Sequence, residues 1–253
     1  MLCTKFLRGD VMLDQQTIIT VLLSGGTALT VKAASDGVVK SLVDLWNGAI
    51  GHYIHSWSEK RRLIMEEKFI PSIAEKIAKI PDENLQEPKM SILGPTLEAS
   101  KFYIEEEEIR EMFSNLIAAS MDSTYNGIVQ HSFVEIIKQL SSYDAKFLSA
   151  IQNCIQSYDL KKNQTIFQRT FCIMPDFLDF EKNSIAITNL HRLGILDLIQ
   201  YLQLNEFSQK DFIINSQIIS DLKKESDFSM QPHTYVLSPL GINFKKVCIK
   251  DTL

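Results

Sequence analysis

The sequence is poor in the residues that cross-link small folds. Its four cysteines, Cys3, Cys154, Cys172 and Cys248, include no C-x-x-C pair. Neither a disulfide framework nor a zinc cluster is therefore suggested, and a reducing cytoplasm is the expected location. Seven prolines and ten glycines in 253 residues are too few for collagen or a low-complexity linker. Basic residues are outnumbered by acidic ones, 26 to 31, leaving a net charge of −5. The chain thus lacks the overall basic footprint of a nucleic-acid binder. No secretory leader is expected either, because Asp10 and Asp14 interrupt the apolar start.

Long apolar runs are also missing. The uncharged stretch Gln15 to Val31 has 17 residues, short of the ~20 needed to span a bilayer as a helix. Gly25-Gly26 and four threonines (Thr17, Thr20, Thr27, Thr30) weaken it further. It reads as a packed soluble segment, with membrane contact as the alternative.

What remains is the composition of a globular protein, 45% hydrophobic and 23% charged. From Val39 the apolar positions Val43, Trp46, Ile50, Tyr53 and Trp57 follow at alternating steps of four and three, with Ile64 a heptad beyond. This stripe predicts a long amphipathic helix that packs on a partner element. Trp46 and Trp57 would be the membrane-contacting residues if the helix lay on a lipid surface.

Pro71 suits a helix start, with Ile73, Ile77 and Ile80 on one face before Pro81. Pro81 to Pro95 reads as a connector, and Pro95 as the first residue of the next helix. Apolar spacing then runs from Leu97 to about Met121, dividing into two helices near the acidic run. Ser132-x-x-Glu135 is a capping box, and Ser141-x-x-Asp144 a weaker one opening a helix from Tyr143 to about Tyr158. Thr165 to Met174 is rich in β-branched and aromatic residues and predicts a strand. Ser184 to Leu193 predicts a helix closed by Gly194. Ile195 to Leu204 and His233 to Leu237 read as extended, and Asn205 to Gln231 as polar with room for one helix. Ser238-Pro239 caps a last helix ending near Ile249.

Candidate chemistry is sparse. Glu105 to Glu108 place four carboxylates in a row, but helical geometry fans them around the axis, so a solvated face or a docking surface at Glu105, Glu106 and Glu108 is expected rather than a metal site. Arg110 is expected to pair with Glu106 at i+4. His131 with Glu135, and His52 with His55 and Glu59, have ligand-like spacing, yet caps and neighbouring Lys60, Arg61 and Arg62 oppose a cation there. Cys154, Cys172 and Cys248 read as small buried hydrophobes. No phosphate-loop, dinucleotide or G-x-S-x-G motif is present. No catalytic residue, metal or cofactor is expected. A helix, strand, helix ending would form a winged-helix-like module, with His191 and Arg192 on one helix and Lys245 and Lys246 on another; Arg192, Lys245 and Lys246 are its candidate DNA contacts.

Several phrases resemble the abortive-infection alpha family of bacterial proteins: IPDENLQEP (80–88), GPTLEASKFYIEEEEIREMFSNLIAASMD (94–122) and HSFVEIIKQLSSYDAKFL (131–148). NLHRLGIL (189–196) and LSPLGINFKKVC (237–248) resemble its C-terminal pattern, so the likeness covers roughly residues 70 to 250. It implies a largely helical component of antiphage defence and carries over no catalytic residues. Gln130-His131 stands where His-Pro is expected, and Ser142 where Pro is expected.

The expected fold is mainly α: residues 1–35 an apolar, glycine-containing segment, 36–160 a helical body with a long amphipathic helix, and 161–253 a small α+β winged-helix-like module. The expected function is a non-enzymatic antiphage component acting through an unidentified protein partner or phage trigger. A membrane-acting effector and a winged-helix DNA-binding regulator are the alternatives.

Overall fold

The computed structural model describes residues 58–152, 154–162, 165–172, 177, 179–199 and 229–249. Trp46, Trp57, His52, His55, the stretch Gln15 to Val31 and the polar segment 205–228 lie outside the described residues. So does most of the amphipathic stripe. The described part is mainly helical with one small antiparallel sheet. The chain divides into two compact units after Lys138, and the helix that follows falls in the same unit as the sheet.

In the first unit, α1 (Glu59–Ile64) runs through a π turn (Met65–Phe69) into α2 (Ile70–Ile77). Met65, Phe69, Ile73 and Ile77 recur every fourth residue and are fully buried, which is the face a helix presents to a core. Pro71 falls in the first turn of α2, as expected, although the helical run reaches it from α1 through the π turn. A proline has no N–H and its ring crowds the carbonyl four residues back; that carbonyl, of Glu67, lies in the wider π turn, which lets the run continue.

Pro95 departs from expectation, since it sits inside α3 (Met90–Tyr103) rather than at its start. The residue before a proline is normally pushed out of the helical region by its own Cβ, and Gly94 has none. The connector between α2 and α3 is pinned. Leu85 bridges Asp122, Gln86 N donates to the Met121 carbonyl at 2.9 Å, and the Gln86 and Asn126 amides exchange two hydrogen bonds of 2.7 and 2.8 Å.

The division of the next apolar stretch at the acidic run is as expected, with α4 spanning Glu107–Ser120. Its buried Ile109, Met112, Phe113, Leu116 and Ile117 form the centre of the unit. Tyr103 packs its ring 6.0 Å from that of Phe113 and donates its hydroxyl to the Lys138 carbonyl of α5 (Ser132–Lys138). Ser132 is the first helical residue rather than the residue before it, and Glu135 pairs with Lys138 at 2.9 Å.

The second capping box forms in full. Ser141 Oγ accepts from Asp144 N, and Asp144 accepts from Ser141 N, opening α6 (Ser142–Ala150). The helix stops at Ala150, short of the expected Tyr158, because the next residues are taken by β1 (Cys154–Lys162). β1 pairs with β2 (Thr165–Cys172) and β4 (Ser229–Leu237), and β4 with β3 (Leu196–Ile199), giving the all-antiparallel order β2-β1-β4-β3. The β1–β4 register is regular, whereas β1–β2 carries bulges.

Between β2 and β3 runs α7 (Phe180–Arg192), capped by Asp179, whose side chain accepts from Lys182 N at 3.1 Å. Asn183, Ala186, Ile187 and Leu190 are its fully buried face. The expected glycine stop is present, with Gly194 at φ +73°. The last helix, α8 (Pro239–Cys248), begins as expected on Ser238.

One core position opposes the packing around it. Ser157 on β1 is fully buried, and its hydroxyl has no hydrogen-bond partner among the described residues. An unpaired buried polar group costs about 1–3 kcal/mol. Ser157→Ala is therefore expected to leave stability unchanged or raise it by ~1 kcal/mol in urea unfolding. A loss of that size would show instead that the hydroxyl has a partner in solution.

Candidate functional site

The acidic run occupies the corner between α3 and α4. Glu105 lies in the turn, Glu106 precedes α4, and Glu107 and Glu108 fill its first turn, where carboxylates complement the helix dipole. Glu105, Glu106 and Glu107 are exposed and Glu108 half-buried. Phe102, just before the corner, is 67% exposed, with the Lys101 ammonium 5.0 Å from its ring centre. Arg110, expected to pair with Glu106, is buried and donates from Nη1 to the Ile104 carbonyl at 2.9 Å, closing the turn from inside.

Glu105 has a structural partner set that sequence reading missed. Lys60 Nζ and Arg61 Nε of α1 reach its carboxylate at 2.8 and 2.6 Å. Hydrogen bonds from Lys60 and then Arg61 hold the Glu105 pKa down at about 2, against an ordinary 4.5. Because the folded value is depressed, what this tether contributes is complete above about pH 4.5 and is lost as pH falls towards 2. Carbon NMR titration of the Glu105 carboxyl is expected to give a midpoint well below 4.5 that rises in Lys60→Ala. An unshifted midpoint in the unaltered chain would contradict the tether.

A second convergence, also missed, joins α2 to α4. Ser72 Oγ donates to Glu111 Oε2 at 2.9 Å and lies 3.1 Å from Ser114 Oγ. Lys76 Nζ contacts Ser72 Oγ and reaches Glu111 Oε2 at 2.6 Å. Ser114 is fully buried and the Lys76 side chain only 12% exposed. Burial pushes the Glu111 carboxyl up, but the Lys76 ammonium and the Ser72 hydroxyl outweigh it and hold it below the ordinary range. A serine nucleophile needs an adjacent base. Here the carboxylate is made a weaker base and Lys76 is the cation of its ion pair, so the geometry is that of a polar seam between two helices.

The candidate DNA contacts fall in the second unit. Arg192 Nη1 donates to Gln139 Oε1 at 3.0 Å and Nη2 to Asn189 Oδ1 at 2.7 Å. Lys245 is buried and donates its ammonium to the Ile151 carbonyl, while Lys246 is exposed. His191 Nδ1 donates to the Leu196 carbonyl at 2.7 Å, and its ring packs 5.5 Å from that of Tyr235. In the first unit His131 Nε2 lies 2.8 Å from Ser91 Oγ.

Among the described residues, no group of three or more His, Cys, Asp or Glu is arranged to hold a metal ion. Nor is any described helix long and apolar enough to cross a membrane. Burial raises the thiol pKa of Cys154, and of the fully buried Cys248 strongly. Both are therefore thiols rather than nucleophilic thiolates at neutral pH.

The two C-terminal phrases meet in one knot. Gly194 ends α7 and its carbonyl accepts from Ser238 Oγ at 2.5 Å. Ser238 N donates to the Ile195 carbonyl at 3.0 Å, and Gly241 N donates to Ser238 Oγ at 2.9 Å. Gly241 lies so close to the Ile195 backbone that a Cβ built on it would stand 2.1 Å from the Ile195 carbonyl oxygen.

These helical phrases and their glycine knot fall within a family pattern. The chain belongs to the abortive infection alpha family, whose model matches residues 61–248. Comparison with curated proteins and with solved structures gives no match. Family membership supports a function in abortive infection, in which an infected bacterial cell fails to yield phage.

Proposed function

We propose that the chain acts in abortive infection as a binding protein rather than an enzyme, and that it docks a partner through the α3–α4 corner. The observation that carries this reading is the corner itself, where Phe102 and the carboxylates of Glu106 and Glu107 are exposed within a few residues of one another. An exposed aromatic beside charge is the composition of a protein contact, since aromatics supply buried area and charges supply orientation. Glu105 supports the corner through its ties to Lys60 and Arg61.

The seam at Ser72, Lys76, Glu111 and Ser114 supports the non-enzymatic part, because its charges neutralise each other and its inner hydroxyl is buried. The test is phage plating on a bacterial host expressing Ser72→Ala. The direct Lys76–Glu111 pair survives that change, so the fold persists and the reduction in plating is expected to equal that of the unaltered chain. Loss of defence with an unchanged unfolding midpoint would overturn the non-enzymatic reading.

The DNA-binding reading draws less support, because phosphate affinity needs several free cations on one face. Lys245 and Arg192 are committed to partners within their own unit. The membrane reading rests on Trp46, Trp57 and the stretch Gln15 to Val31. Fractionation of cells expressing the full chain and a version lacking residues 1–58 tests it.

A further inference from the structure

We draw no further inference here: the strongest candidate, the Ser72–Lys76–Glu111–Ser114 side-chain cluster between α2 and α4, belongs to the site already described, where its ammonium and carboxylate satisfy one another and the hydroxyls.

Discussion

Gly241→Ala is expected to cost about 3 kcal/mol or more, at the upper end of what overpacking does. The added methyl would stand 2.1 Å from the Ile195 carbonyl oxygen and 3.0 Å from its carbon. Both are backbone atoms, so no flexible side chain can swing aside. The shift must fall on α8 or on the start of β3, and either movement breaks the bonds that Ser238 makes to Gly194 and Ile195. Urea unfolding of the full chain measures the effect, with Gly127→Ala as the control because nothing stands within 4 Å of its added methyl. Equal midpoints for the two variants would contradict the close approach.

Asp144→Ala is expected to cost about 3 kcal/mol, the sum of a lost cap and a lost hydrogen bond from Asn189 to a charged group. Asp144 is 4% exposed, and its Oδ2 accepts from Ser141 N, Ser141 Oγ and Asn189 Nδ2, each at 2.9 Å. It therefore both closes the start of α6 and ties that helix to α7. Asn189 extends the tie by donating to the Gln139 carbonyl at 3.1 Å and accepting from Arg192. Ser141→Ala removes only the cap's hydroxyl and is expected to cost about 1 kcal/mol. Thermal unfolding of the two variants separates the contributions. A loss for Asp144→Ala no larger than for Ser141→Ala would mean that the bond to Asn189 adds nothing.

The parts of this fold legible in the sequence are those fixed by neighbours along the chain. Gly194 after an apolar helix face, and Ser238-Pro239 before another, are local signals that need no tertiary partner, and both elements close as expected. β1 was hidden for the opposite reason. Its first residues continue the helical spacing of α6, and only pairing with β4, far along the chain, makes Cys154–Lys162 a strand. The second capping box gains weight on the same ground, because Asp144 also accepts from Asn189 on a helix far along the chain.

The candidate site divides in the same way. The carboxylate run was conspicuous, and its place between two helices followed from the apolar spacing on either side. Which carboxylate would be committed was not legible, since Lys60 and Arg61 lie more than forty residues before Glu105. The seam was equally hidden. Ser72 and Lys76 share a helix face at i+4, as Glu111 and Ser114 do at i+3, but no sequence pattern says that these two faces meet. The i+4 spacing places Arg110 near Glu106, but only the burial of α4 shows that its guanidinium donates inward to the Ile104 carbonyl.

If the chain docks its partner through the α3–α4 corner, reversing the charge there removes the contact. Phage plating is measured on hosts expressing the unaltered chain or Glu106→Lys/Glu107→Lys, at matched protein levels and with unfolding midpoints compared. Both side chains are exposed, but both stand at the start of α4, so the double reversal is expected to cost about 1–2 kcal/mol through the helix dipole. Charge reversal is expected to abolish the reduction in plating while the protein remains folded. Full defence by the folded double variant would contradict it.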